Sequence, residues 1–200
     1  MGTVYTAGEL KEICEFAHKT GLFVHMDGAR ISNAVAGLGC DIKEITRHPG
    51  IDVLSFGGTK NGMMYGEAII IFNTRMAEDF KYRRKQAMQL ASKMRFVSAQ
   101  FIAFLDNDLW LKNADHANRM AQLLRRELEH IPEVKITQKT EANGVFAIIP
   151  PEIIPDLQKE FFFYVWDEAK SEVRWMTSYD TQEADIYLFI DILKKLLQRK

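Results

Sequence analysis

Phe23-Val24-His25-Met26-Asp27-Gly28-Ala29-Arg30 and Asp52-Val53-Leu54-Ser55-Phe56-Gly57-Gly58-Thr59-Lys60-Asn61-Gly62 are the two stretches that decide the fold. Each is an apolar run that ends in a charged residue beside glycine. Short apolar runs bounded by glycine read as buried strands. In an open α/β sheet, ligands bind at the C-terminal tips of such strands. An acid on one tip and a lysine on the next suit pyridoxal 5'-phosphate (PLP). That cofactor needs a lysine amine for a Schiff base and a carboxylate to hold its ring nitrogen protonated.

The surrounding pattern alternates short strands with helices. Thr6 is a plausible N-cap with Glu9 as its capping-box partner, and the helix runs to about His18. Leu22 to Met26 reads as a strand, Arg30 to Ala36 as a short helix, Asp52 to Phe56 and Glu67 to Phe72 as further strands. This alternation predicts βαβ units and a mostly parallel sheet. Residues 74–105 are helical in pattern, with a break near Lys93 to Phe96. A strongly amphipathic helix follows from Asn113 to about His130, and Pro132 stops it. Strands are then expected at Val134–Thr137, Gly144–Ile149, Phe161–Trp166 and Val173–Thr177, with helices over Pro151–Lys159 and Thr181–Gln198. The chain thus divides into residues 1–111, part of a larger α/β domain, and residues 112–200, a small α+β domain.

Composition narrows the function classes. The net charge is −1 and 47% of residues are hydrophobic, as in ordinary globular chains. No basic block stands apart from acids, so no nucleic-acid surface is expected; Lys81 to Lys85 reads as a solvated helix face. No apolar run reaches membrane-spanning length and no signal-peptide pattern is read at the N-terminus. Cys14 and Cys40 have no metal-ligand spacing and point to reduced thiols in a cytoplasmic protein. No metal site is expected.

Several side chains are candidates for chemistry. Asp27 would pair with the pyridine nitrogen; the plainer alternative is a turn aspartate before Gly28. Lys60 would carry the cofactor, since glycines beside it allow a close backbone approach; the alternative is an exposed loop lysine. Thr59 and Ser55 offer hydroxyls toward the phosphate, with loop hydrogen bonds equally open to them. Arg30 opens a helix, where a cation is unfavourable unless an anion is near. Arg174 interrupts an apolar strand, and a guanidinium there fits a carboxylate in two hydrogen bonds; a half-exposed strand face would also accommodate it. His25 shares the sheet face of Asp27 and reads mainly as a packed core histidine. Phe161 to Trp166 reads as core strand.

His25-Met26-Asp27-Gly28-Ala29-Arg30 with Asn33-Ala34 resembles a motif of the low-specificity threonine aldolases. Ser55 to Gly62 resembles their lysine loop, and Val173-Arg174-Trp175-Met176-Thr177-Ser178 their arginine-bearing late strand. The resemblance implies an aspartate-aminotransferase-like PLP enzyme of fold type I, with the C-terminal part of its large domain followed by its small domain. It implies retro-aldol cleavage of threonine or a related β-hydroxy-α-amino acid to glycine and an aldehyde. Arg30 and Arg174 would bind the substrate carboxylate, Arg30 also facing the cofactor. A homodimer or homotetramer is expected. The family's N-terminal half, with its phosphate-cradling loop and ring-stacking histidine, has no counterpart here. The 200-residue chain is therefore expected to be inactive by itself, with a bare sheet edge. A PLP-dependent β-eliminating lyase and a silent domain without cofactor are the alternative readings.

Overall fold

The computed structural model describes residues 2–198. It divides into two compact units: Tyr5–Lys112, and the residues from Asn113 onward joined by the tail up to Val4.

In the first unit, α1 (Ala7–Lys19) starts at Thr6, whose side chain accepts from the Glu9 amide while the Glu9 carboxylate accepts from the Thr6 amide. Its C-terminus closes with Leu22 N–H donating to Ala17 O and Gly21 N–H to His18 O, with Gly21 at φ +75°. This is the 6→1 and 5→2 pair that terminates many helices. It uses up Leu22, so strand pairing begins later than the apolar run suggests. The strand β1 is His25–Gly28, not Leu22–Met26, and Leu22 and Phe23 are exposed. The helix α2 (Ile31–Leu38) follows, then β2 (Val53–Gly57) and β3 (Glu67–Ile71).

The sheet order is β1-β2-β3. Strand β1 runs parallel to β2, with His25 opposite Val53 and Asp27 opposite Ser55, while β3 is antiparallel to β2. The sheet is mixed, which corrects the expectation of a mostly parallel one. The loop from Gly58 to Gly66 is too short for a crossover helix, so β3 must return as a hairpin. Strands β1 and β3 form the sheet's two edges among the described residues.

One sheet face carries Leu54 and Phe56 into a core with Leu10, Ile31, Val35, Ile45, Met63 and Phe104. The other face carries His25, Asp27, Ser55 and Ile69 and is largely open; Ile69 is 44% exposed. Helices α3 (Phe80–Gln86) and α4 (Met94–Leu105) follow. The break between them lies at residues 87–93, earlier than expected, where Met88 takes φ +57°. Residues Lys81 to Lys85 are all exposed, as a solvated face would be.

Helix α5 (Leu109–Leu128) starts four residues before the sequence pattern suggests. The second unit adds β4 (Lys135–Ile136), β5 (Gly144–Ile148), α6 (Ile154–Glu160), β6 (Tyr164–Asp167), β7 (Glu172–Met176) and α7 (Glu183–Leu197). Its sheet order is β4-β5-β7-β6, antiparallel throughout. Val145, Ala147, Val173 and Trp175 form the inner face and pack on Leu124, Leu128, Leu157, Ile190 and Leu193. Strand β6 begins later than Phe161, because Phe161 N–H still bonds to Leu157 O at the end of α6. No helix among the described residues is long and apolar enough to cross a membrane.

Candidate active site

Parallel pairing puts the C-terminal tips of β1 and β2 at the same end of the sheet. Asp27 lies one residue before the end of β1. Its Oδ1 accepts from the Ala29 N–H at 3.0 Å, so the carboxylate is oriented by the turn it stabilises. The side chain is exposed on the open sheet face. The turn reading and the site reading are thus compatible: one oxygen fixes the loop and the other is presented.

The two tips touch through glycine. A Cβ on Gly57 would lie 2.7 Å from the Cα and O of Ala29, and one on Gly28 would lie 2.6 Å from Ser55 O. Real Cβ atoms do not approach backbone that closely, so these two glycines set the spacing between the Asp27 turn and the Lys60 loop.

Lys60 sits in a 3-10 turn, Thr59–Asn61, directly after β2. The loop around it is tied down at several points. Gly58 N–H donates to Gly66 O, and the Thr59 hydroxyl both accepts from the Gly66 N–H at 2.9 Å and donates to Gly66 O at 3.4 Å. Buried Asn61 donates from Nδ2 to Trp110 O at 2.8 Å, and Met64 N–H donates to Gln100 Oε1 at 2.9 Å. Gly62, at φ +109°, permits the reversal. Lys60 itself is exposed and takes part in none of the ion pairs of the described residues. Thr59 therefore has a loop-closing task. Of the two readings that the sequence left open for it, the loop hydrogen bond is the one displayed.

His25 is not packed in a core. It is exposed, and its Nε2 lies 2.9 Å from Ser55 Oγ on the same face as Asp27. Sharing a face with Asp27 does not bury it, because that face is open. Ser55 thereby has a histidine partner that strand register, once known, makes evident. Arg30 occupies the N-cap position of α2 and is partly buried.

A buried hub beneath β2 escaped the sequence reading. Asp52 accepts from the Val24 N–H at 2.8 Å, from His18 Nε2 at 2.9 Å and from Asn73 Nδ2 at 2.8 Å. Burial pushes its pKa up, and the Val24, His18 and Asn73 bonds outweigh that and hold it below the ordinary carboxylate value. The hub ties α1, the residue before β1 and the turn after β3 to the foot of β2. Burial, reinforced by the charge of Asp52, raises the Cys14 thiol pKa, and burial followed by Glu44 raises that of Cys40, which favours the protonated thiol in both. No cluster of metal-binding side chains occurs among the described residues.

Arg174 lies in β7 of the second unit. It is partly buried, with Cζ 4.9 Å from the Trp166 ring centre and 5.3 Å from that of Tyr164. Its Nε is buried and has no hydrogen-bond partner. Of the Phe161 to Trp166 run, Phe163 enters the core, whereas Tyr164 and Trp166 point to the opposite face and are 56% and 44% exposed. Period-2 alternation from Phe163 and Val165 was the signal for this.

The beta-eliminating lyase family model matches residues 1–150. The low specificity L-threonine aldolase of Pseudomonas sp. (strain NCIMB 10558) is 48% identical over 186 residues, covering 93% of this chain and 54% of that protein. The protein of the same description from Pseudomonas aeruginosa is 49% identical over 181 residues, covering 90% of this chain and 52% of its own length. A solved threonine aldolase structure from Leishmania major superposes with a TM-score of 0.88 at 30% identity, covering 98% of this chain and 58% of that one. A PLP-dependent aminotransferase from Streptococcus suis matches with a TM-score of 0.74 at 17% identity, covering 100% of this chain and 55% of that one, a likeness of fold. The chain spans about half the length of the curated relatives it matches.

Proposed function

Since the chain belongs to the beta-eliminating lyase family, we propose that it forms part of a PLP-dependent aldolase that cleaves threonine or a related β-hydroxy-α-amino acid to glycine and an aldehyde. The observation that carries this is an acid and an unpaired lysine at the tips of two adjacent parallel strands. The residues present fit the cofactor. Asp27 presents a carboxylate on the open face, the Lys60 amine is not committed to any acid, and Gly28 and Gly57 leave no Cβ between the two tips.

When bound, PLP supplies a ring that accepts the electron pair left at Cα. Asp27 holds the proton on the ring nitrogen, which keeps that acceptor positively charged. The Lys60 amine is the covalent anchor. It reaches the cofactor from a loop fixed by Asn61, Met64 and Gly66, so its approach is ordered before the ligand arrives. Arg174 receives the substrate carboxylate through its unspent N–H donors and thereby selects α-amino acids over simple amines. Arg30 assists in binding the anionic groups at the head of α2. The enzyme acts as a homodimer or homotetramer in the cytoplasm.

The test is a fusion that supplies the residues of the Pseudomonas sp. relative that this chain does not match. With PLP and threonine it should release acetaldehyde and glycine in equal amounts. Release of ammonia and a keto acid instead, with no aldehyde, would favour β-elimination and contradict the proposal.

A further inference from the structure

Arg174 on β7 faces Phe146 on β5 and Tyr164 on β6, so one cross-strand row reads Phe146, Arg174, Tyr164. Residues directly opposite one another share a sheet face and touch. The register shifts between Val165 and Asp167, leaving Trp166 as the extra residue of a bulge. Bulges re-aim a side chain. Here the indole comes to 4.9 Å from the Arg174 Cζ and also meets Phe146 edge to face, at 5.5 Å and 89°. The phenol of Tyr164 stands at 5.3 Å. The guanidinium is thus held by rings. No described ion pair includes it, and its Nε is buried without a partner.

The distinction between ring and acid matters. An aspartate or glutamate beside Arg174 would consume the in-plane N–H donors and compete with an incoming anion. Aromatic rings engage a cation through its face and leave those edge donors unspent. A partly buried cation with unspent donors is unfavourable until an anion meets it.

We propose that Tyr164 and Trp166 are positioning residues that hold the Arg174 guanidinium in one plane, so that its N–H fork is set for an amino-acid carboxylate before the ligand arrives. This rests on the reading of Arg174 as the carboxylate-binding residue. Ordering a long side chain in advance removes a cost otherwise met on binding. Tyr164 and Trp166 contact the arginine, so their loss should weaken affinity while leaving the chemistry of recognition unchanged.

The test uses the whole 200-residue chain, 15N-labelled, with the Arg174 Nε–H signal identified by its disappearance in Arg174→Lys. Ring currents should displace that signal in the wild type. Glycine should shift it saturably, and methylamine, which lacks the carboxylate, should not. Trp166→Leu and Tyr164→Leu should each move the signal toward the value of a free arginine and raise the glycine Kd about two- to tenfold. Trp166→Phe keeps a ring and should stay within about twofold of wild type. If Arg174→Leu abolishes glycine binding while both leucine variants leave the signal and the Kd unchanged, the positioning proposal fails alone. If Arg174→Leu leaves glycine affinity unchanged, or the wild-type signal does not respond to glycine, the carboxylate reading of Arg174 fails and this proposal with it.

Discussion

Gly57→Ala tests how the two tips are spaced. The added methyl would lie 2.7 Å from the Cα and O of Ala29 and 2.9 Å from its carbonyl carbon. All three atoms are backbone, so no rotamer change relieves the contact. Reaching ordinary van der Waals distance, about 3.5–4.0 Å, requires the Asp27 turn to move about 1 Å from β2. Overpacking of this kind costs about 1–3 kcal/mol. For a chain of this size that lowers Tm by about 2–12 °C. The assay is amide hydrogen exchange at Leu54 and Phe56, which reports the stability of this sheet directly. Gly8→Ala is the control. Its added methyl meets nothing nearer than 4.0 Å, at the Thr6 Oγ1, inside a helix. It should stabilise by up to about 1 kcal/mol. In the fusion, a 1 Å displacement should also lower turnover by up to about 100-fold. Equal protection and equal turnover for Gly57→Ala and Gly8→Ala would refute the argument that close packing of the tips sets the site.

The Asp52 hub predicts acid sensitivity of the first unit. Its native pKa is lowered, so its contribution is fully present above the unfolded carboxylate pKa, about 3.9, and is lost as pH falls through the lower native value. The protection of the Val24 amide should fall in that window, and Asp52→Leu should remove the pH dependence while destabilising by about 1–3 kcal/mol through the stranded donors; a pH response unchanged in the variant would contradict this. In the second unit, Leu193 is completely buried against the inner sheet face. Leu193→Ala should cost about 2–5 kcal/mol in denaturant unfolding, and a loss under 1 kcal/mol would mean that the core collapses around the gap.

Much of the architecture is legible from the sequence where local signals agree. The Thr6–Glu9 capping box is present as spelled, and the amphipathic period of α5 leads to a long buried face. What failed depended on information outside a local window. The apolar run from Leu22 suggested a strand start, and the helix-closing bonds at Gly21 and Leu22 overrode it. The return direction of β3 was set by loop length rather than by the strand's own residues. His25 was expected inside because alternation reports only that two residues share a face, not whether that face is covered. Asp27 and Lys60 stand out as candidates because charge at the end of an apolar run is conspicuous. Tyr164 and Trp166 read as core because a run of aromatic residues masks the period-2 alternation that Phe163 and Val165 carry. The Asp52 hub draws on residues spread from His18 to Asn73, and no spacing rule connects them.

The claim that Lys60 and Asp27 hold the cofactor is tested most directly by chemical trapping. PLP is added to the fusion, the adduct is reduced with borohydride, and the labelled lysine is mapped by mass spectrometry. The label is expected on Lys60, with none transferred to another lysine in Lys60→Ala and a retained Lys60 label without turnover in Asp27→Ala. A label on a different lysine, with Lys60 unmodified, would contradict it.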